Sequence, residues 1–213
     1  MSRSYFLDRA EAGRLLAKEL EHYRGTDAFV LAIPRGGVAV GHALARELGL
    51  TMDVLFAKKI GHPDNRELAI GAVSIESVIL DDRFDIPKDH VEHEVVRIRA
   101  QMKERMALYR GDRRPVDLHD RAVILADDGV ATGNTLLATI DLVRHQEPAH
   151  IVVAMPVVPA DFVAKGMATA DEFVHLMAPR DFMSVGQFYE EFDPVEDEEA
   201  VRLLHDNWKT TVS

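Results

Sequence analysis

Apolar residues along the chain fall into short solid runs, separated by stretches where they recur every three or four positions. Residues 28–33 (AFVLAI), 52–57 (MDVLFA), 122–126 (AVILA) and 151–155 (IVVAM) have strand length, and a fifth strand is expected near 172–176. Runs without alternation suit strands buried on both faces. Asp8 with Glu11 has the form of a capping box that opens a helix running to about Tyr23. Residues 38–48 put Val40, Ala43, Leu44 and Leu48 on one helical face and stop at Gly49. Val91, Val95, Ile98, Met102, Met106 and Tyr109 predict a long amphipathic helix starting near Pro87. Further helices are expected over 135–145 and, shorter, near 161–167.

Two segments break this pattern. Residues 61–71 hold Gly61, Gly71, Pro63 and the polar run Asp64, Asn65, Arg66 and Glu67, and read as a long mobile loop. Beyond it, residues 72–75 and 78–80 can pair as a hairpin. From residue 177 onward Phe182, Phe188, Tyr189, Phe192 and Trp208 stand among many acids. That tail reads as a small cap or hood, its aromatic rings either packing its core or stacking on a planar ligand. Strands separated by helices argue for one α/β domain over 1–213, a parallel five-stranded sheet flanked by helices. Ligands of such sheets bind at the carboxyl ends of the strands.

Composition narrows the chemistry. The chain of 213 residues has no cysteine, which excludes disulfides, thiolate metal sites and a cysteine nucleophile. No stretch approaches the roughly 18 apolar residues of a membrane span. The first residues carry scattered charges and no apolar core of signal-peptide length. A soluble, cytoplasmic protein is expected. A net charge of −11 argues against nucleic acid as a partner, and against any phosphorylated ligand unless positive charge is local or comes from backbone amides or a metal. Of the ten histidines, His90 and His93 lie three apart on the long helix, which suits a solvated face better than a metal site.

Residues 123–135 (VILADDGVATGNT) meet that demand. A buried strand ends in Asp127 and Asp128, a loop of small residues follows, and a helix begins. Such a loop lets N–H groups converge on an anion, and the helix N-terminus adds partial positive charge. Thr132 and Thr135 can donate hydroxyls, and adjacent carboxylates suit a vicinal diol. A plain Asp-Gly turn needs neither the second acid nor Thr-Gly-x-Thr. After the first strand, Pro34-Arg35-Gly36-Gly37 lets a ligand approach the backbone, with Arg35 able to grip phosphate oxygens; the same run also serves as a simple turn. After the second strand come Lys58 and Lys59, either a solvated charge pair or a phosphate-neutralising one.

The 123–135 run resembles the signature that type I phosphoribosyltransferases use to bind 5-phosphoribosyl-1-pyrophosphate (PRPP). The resemblance extends through IPRGGVAVGHALA, KKIGHPDNRELAIGAV and SVGQFYEEF to a bacterial branch of that family whose substrates are largely unassigned. It implies transfer of the 5-phosphoribosyl group to a nitrogenous base or amine, with release of pyrophosphate. Asp127 and Asp128 would hold the ribose hydroxyls and, directly or through them, magnesium. Ala131, Thr132, Gly133, Asn134 and Thr135 would hold the 5-phosphate. Arg35, Gly36 and Gly37 would hold the leaving pyrophosphate, in a loop that in this family often carries a non-proline cis peptide, and Lys58 and Lys59 after the second strand would neutralise it. Glu67, in a closing loop, would serve as acid or base, with Lys59 and Arg35 assisting catalysis. Hypoxanthine- and guanine-using members carry Asp where this chain has Ala131, which argues against a 6-oxopurine acceptor. The resemblance admits a homodimer; the alternative reading is a PRPP-binding regulatory or sensor protein without turnover, although Lys58, Lys59 and Glu67 lean toward an enzyme.

Overall fold

The computed structural model describes residues 5–75, 77–81, 83–84, 86–131 and 133–211, with the side chains of residues 66, 67, 69 and 211 outside that description. Five parallel strands form the central sheet: β1 (Phe29–Ala32), β2 (Thr51–Val54), β6 (Ala122–Ala126), β7 (His150–Val157) and β8 (Glu172–Met177), in the order β2-β1-β6-β7-β8. The α/β architecture expected from the sequence is therefore present. Helices α1 (Arg9–Glu19), α2 (Gly36–Leu48), α3 (Lys88–Arg110) and α6 (Asp197–Thr211) pack on one side, and α4 (Asn134–Arg144) and α5 (Val163–Thr169) on the other.

The solid apolar runs are explained by this two-sided cover. Val30, Ala32, Ile124, Ala126, Val152 and Ala154 face the α1–α2 side, whereas Phe29, Leu31, Val123, Leu125, Ile151 and Val153 face α4 and α5. All of them are buried. Each fully buried Val, Leu or Ile side chain contributes about 1.5–3 kcal/mol. The chain goes from β1 outward to β2 and then returns to β6 on β1's other side. The carboxyl ends of β1 and β6 thus flank the switch in strand order, where open α/β sheets form their crevice.

The segment expected as a mobile loop is instead a β-hairpin. β3 (Lys58–His62) pairs antiparallel with β4 (Asn65–Val73), and β4 pairs with β5 (Val78–Leu80) in a second, three-stranded sheet. The loop-like composition has a local cause. Pro63 and Asp64 form a tight turn, and Gly61 sits where the register shifts. A Cβ on Gly71 would lie 2.3 Å from the Ile79 carbonyl oxygen, so that glycine permits close strand approach. Ile60, Ile70 and Val73 bury the inner face.

Elements outside the central sheet are anchored at identifiable points. Arg110 of α3 places Nε 2.9 Å from both Asp53 carboxylate oxygens and donates through Nη2 to the Val54 carbonyl at 2.9 Å, locking α3 to β2. Asn207 and Trp208 of α6 hydrogen bond to Leu50 and Met52 at the same sheet edge. At the other end, Asp8 caps α1 by accepting from the Glu11 N–H at 2.6 Å, while the Glu11 carboxylate reaches back to the Leu7 N–H. Phe6 pairs with the segment around Tyr189, donating to the Phe188 carbonyl and accepting from the Glu190 N–H. A Cβ on Gly13 would lie 2.3 Å from the Val40 carbonyl oxygen, so α1 sits close on α2 with its first turn beside the β1 and β6 loops.

Candidate active site

Two backbone loops meet at the carboxyl ends of β1 and β6. The first, residues 34–37, contains a cis peptide between Pro34 and Arg35. Added to Gly36, a Cβ would lie 1.9 Å from Asp128 Oδ2; added to Gly37, 2.7 Å from the Ala126 carbonyl and 2.9 Å from Asp127 Cα. These glycines are required by close approach, because no side chain fits between the loops. The paired glycines and paired acids of the sequence are therefore the two sides of one contact.

Asp127 Oδ1 accepts the Asp128 N–H at 2.8 Å. Burial, then the neighbouring Asp128 charge, pushes the Asp127 carboxyl well above the ordinary range, opposed by backbone N–H groups of Asp128 and Gly37 and by Arg9. Asp128 is raised by burial, and Arg9 opposes this most strongly. Arg9 Nε lies 2.8 Å from Asp128 Oδ2, and the Tyr189 hydroxyl donates to the Asp128 carbonyl at 2.7 Å.

The loop after Asp128 leads into α4. Gly133 has φ +76, and a Cβ there would lie 2.0 Å from the Phe162 ring, so both conformation and space demand glycine. Among the described residues no side chain caps α4, whose first N–H groups lack intrahelical acceptors. Ala131 is exposed, Asn134 partly exposed and Thr135 exposed. Thr132 lies outside the described residues.

Thr135 lines a cleft of about 380 Å³ together with Lys58, Lys59, His90, Glu94 and Arg97. The two lysines after β2 thus share a cleft with the first turn of α4. Lys58 Nζ lies 3.2 Å from Gln101 Oε1. Arg97 is paired with Glu94 at 2.7 Å. Arg35 points from its loop to the tail, with Nη1 3.3 Å from Glu196 Oε2. Glu67 lies on β4, its side chain outside the described residues. His90 contacts the Gly61 carbonyl and His93 its own helix at Asp89, so they do not form a pair.

The profile of the phosphoribosyl transferase domain matches residues 6–170. The chain belongs to the phosphoribosyltransferase family. A Mycobacterium tuberculosis protein provisionally named a phosphoribosyl transferase is 36% identical over 209 residues, covering 93% of this chain and 46% of that protein. The chain therefore spans about half the length of that curated phosphoribosyltransferase relative. A solved structure from Thermus thermophilus superposes with TM-score 0.88 at 37% identity, covering 95% of this chain and 98% of that one. A purine phosphoribosyltransferase from Pyrococcus horikoshii shares the fold alone, with TM-score 0.50, 18% identity and coverage of 88% and 93%.

Sequence reasoning missed Arg9, Tyr189 and Glu196. Arg9 had one local signal: it opens a helix, where the macrodipole disfavours a cation, so a specific acidic partner was needed. Tyr189 lies inside the SVGQFYEEF run but had no assigned role. The aromatic tail divides. Phe182 stacks on Phe188 and Tyr189 on Phe192 near the Asp128 loop, while Trp208 stacks on His205 at the β2 edge. Among the described residues no helix is long and apolar enough to cross a membrane.

Proposed function

We propose that this phosphoribosyltransferase-family chain transfers the 5-phosphoribosyl group of PRPP to a nitrogenous base or amine and releases pyrophosphate. The observation that carries the reading is the Asp127–Asp128 pair held against the Gly36–Gly37 backbone at the strand-order switch. Two carboxylates beside a side-chain-free backbone suit a sugar diol joined to a diphosphate. The carboxylates accept the ribose 2- and 3-hydroxyls. Gly133 to Thr135 and the α4 N-terminus receive the 5-phosphate.

In the reaction the bond from ribose carbon 1 to the pyrophosphate oxygen breaks, its electron pair leaving with pyrophosphate, and a carbon–nitrogen bond to the acceptor forms. Arg35, Lys58 and Lys59 offset the leaving charge, Arg35 exchanging Glu196 for pyrophosphate. Glu67 accepts the proton lost by the acceptor nitrogen. Hard carboxylate oxygens and substrate oxygens suit magnesium, which would neutralise the diphosphate. Asp127 and Asp128 would hold the ion together with PRPP, directly or through the ribose hydroxyls.

The test is pyrophosphate release from PRPP and magnesium across a panel of purines, pyrimidines and simple amines. Release with at least one acceptor is expected, weakest with 6-oxopurines because Ala131 stands in the phosphate loop. Tight PRPP binding without release from any acceptor would replace this reading with a PRPP sensor.

A further inference from the structure

Arg9 has contacts no ordinary surface arginine needs. Its Nε meets Asp128 Oδ2 at 2.8 Å, with the two side chains only 11% and 16% exposed. Its Nη1 donates to the Asp193 carbonyl at 2.9 Å, and its guanidinium lies 3.8 Å from the centre of the Phe192 ring. A Cβ added to Gly36 would lie 1.9 Å from Asp128 Oδ2 and 3.2 Å from Arg9 Nε, so glycine at this position leaves the room that the ion pair occupies. From the other side the Tyr189 hydroxyl holds the Asp128 carbonyl. The carboxylate, the carbonyl and the ring together fix the guanidinium plane, which a lysine, as a point charge, would not achieve.

Asp127 and Asp128 are adjacent, and like charges so close oppose one another's ionised form. Arg9 Nε is the partner that meets Asp128 Oδ2, whereas Asp127 Oδ1 accepts the Asp128 N–H. We infer that Arg9 is a positioning residue for the ribose diol: it holds Asp128 Oδ2 so that the rest of the carboxylate faces the sugar hydroxyls beside Asp127. This inference rests on the phosphoribosyl reading above. It also gives the 188–193 segment a role, since Tyr189, Phe192 and Asp193 hold Asp128 and Arg9 in place.

The experiment is calorimetric titration of PRPP with magnesium, and separately of pyrophosphate with magnesium, into the wild type, Arg9→Met, Arg9→Lys and Phe192→Leu, each with a melting curve. Pyrophosphate reports the Arg35, Lys58 and Lys59 side of the site but not the diol. Arg9→Met is expected to weaken PRPP by at least about tenfold, the effect of losing one charge-assisted hydrogen bond. Pyrophosphate affinity should stay within about twofold, a few tenths of a kcal/mol. Arg9→Lys should recover part of the loss, and Phe192→Leu should weaken PRPP less than Arg9→Met. PRPP affinity in Arg9→Met equal to or tighter than wild type would overturn the inference, as would PRPP and pyrophosphate weakening together. If Arg9→Met does not fold, Arg9→Lys and Phe192→Leu decide: weaker PRPP with unchanged pyrophosphate supports the role, and unchanged PRPP overturns it. A wild type that binds no PRPP would bring down the phosphoribosyl reading and this inference with it.

Discussion

The Asp127–Asp128 pair is costly to the resting protein. Burial and the Asp128 charge raise the Asp127 carboxyl well above its ordinary value of 3.8. A group raised on folding binds its proton more tightly in the folded chain. Its stabilising contribution is full below the unfolded value and is lost as pH rises through the folded one. Asp127→Asn keeps the acceptor for the Asp128 and Gly37 N–H groups and removes the buried charge. The variant should melt above the wild type near about pH 7, with the gap closing toward about pH 4; each kcal/mol corresponds to about 2–4 °C. Melting curves at several pH values check this, and a gap that is absent, reversed or independent of pH would refute it. The same variant should lose PRPP affinity. The acids and glycines were legible because each sits in a local run whose composition needs explaining. Arg9 was not, since its partner lies 119 residues away and no periodicity links α1 to the β6 loop.

At the level of elements, the sheet strands and their helices were readable because burial on both faces leaves solid apolar runs. The β3–β4 hairpin was misread because its turn, bulge and close-packed glycine all carry loop-like residues, while its pairing depends on contacts across the hairpin. Helix α3 illustrates a fastening invisible to periodicity. Arg110 and Asp53 are 7% and 4% exposed, and burial raises the Asp53 carboxyl against the pull of Arg110. Removing one member of a buried pair strands the other, so Arg110→Met should destabilise by about 3–5 kcal/mol. Because the pair lies at the β2 edge, PRPP affinity should change little. Denaturant unfolding with calorimetry on the same variant tests both statements; a loss under about 1 kcal/mol would show the pair to be dispensable.

Across the whole molecule, the acidity that made a phosphate ligand look improbable is answered by placement. The chain carries a net −11, yet Lys58, Lys59 and Arg97 line one cleft with Thr135 at the N-terminus of α4. Glu196 pairs with Arg35 at 3.3 Å; in the proposed reaction pyrophosphate would take its place. What the sequence left open at this scale is the acceptor, because no single run encodes how the hairpin, α3 and the 178–196 segment are placed relative to one another. The central claim, that Asp127 and Asp128 receive a phosphorylated ribose, does not depend on the acceptor. It is tested most directly by calorimetry of PRPP with magnesium against the wild type and Asp128→Asn. The wild type should bind, and Asp128→Asn should bind at least about tenfold more weakly, having lost a charged acceptor for the diol; equal affinity in the two proteins would contradict the account.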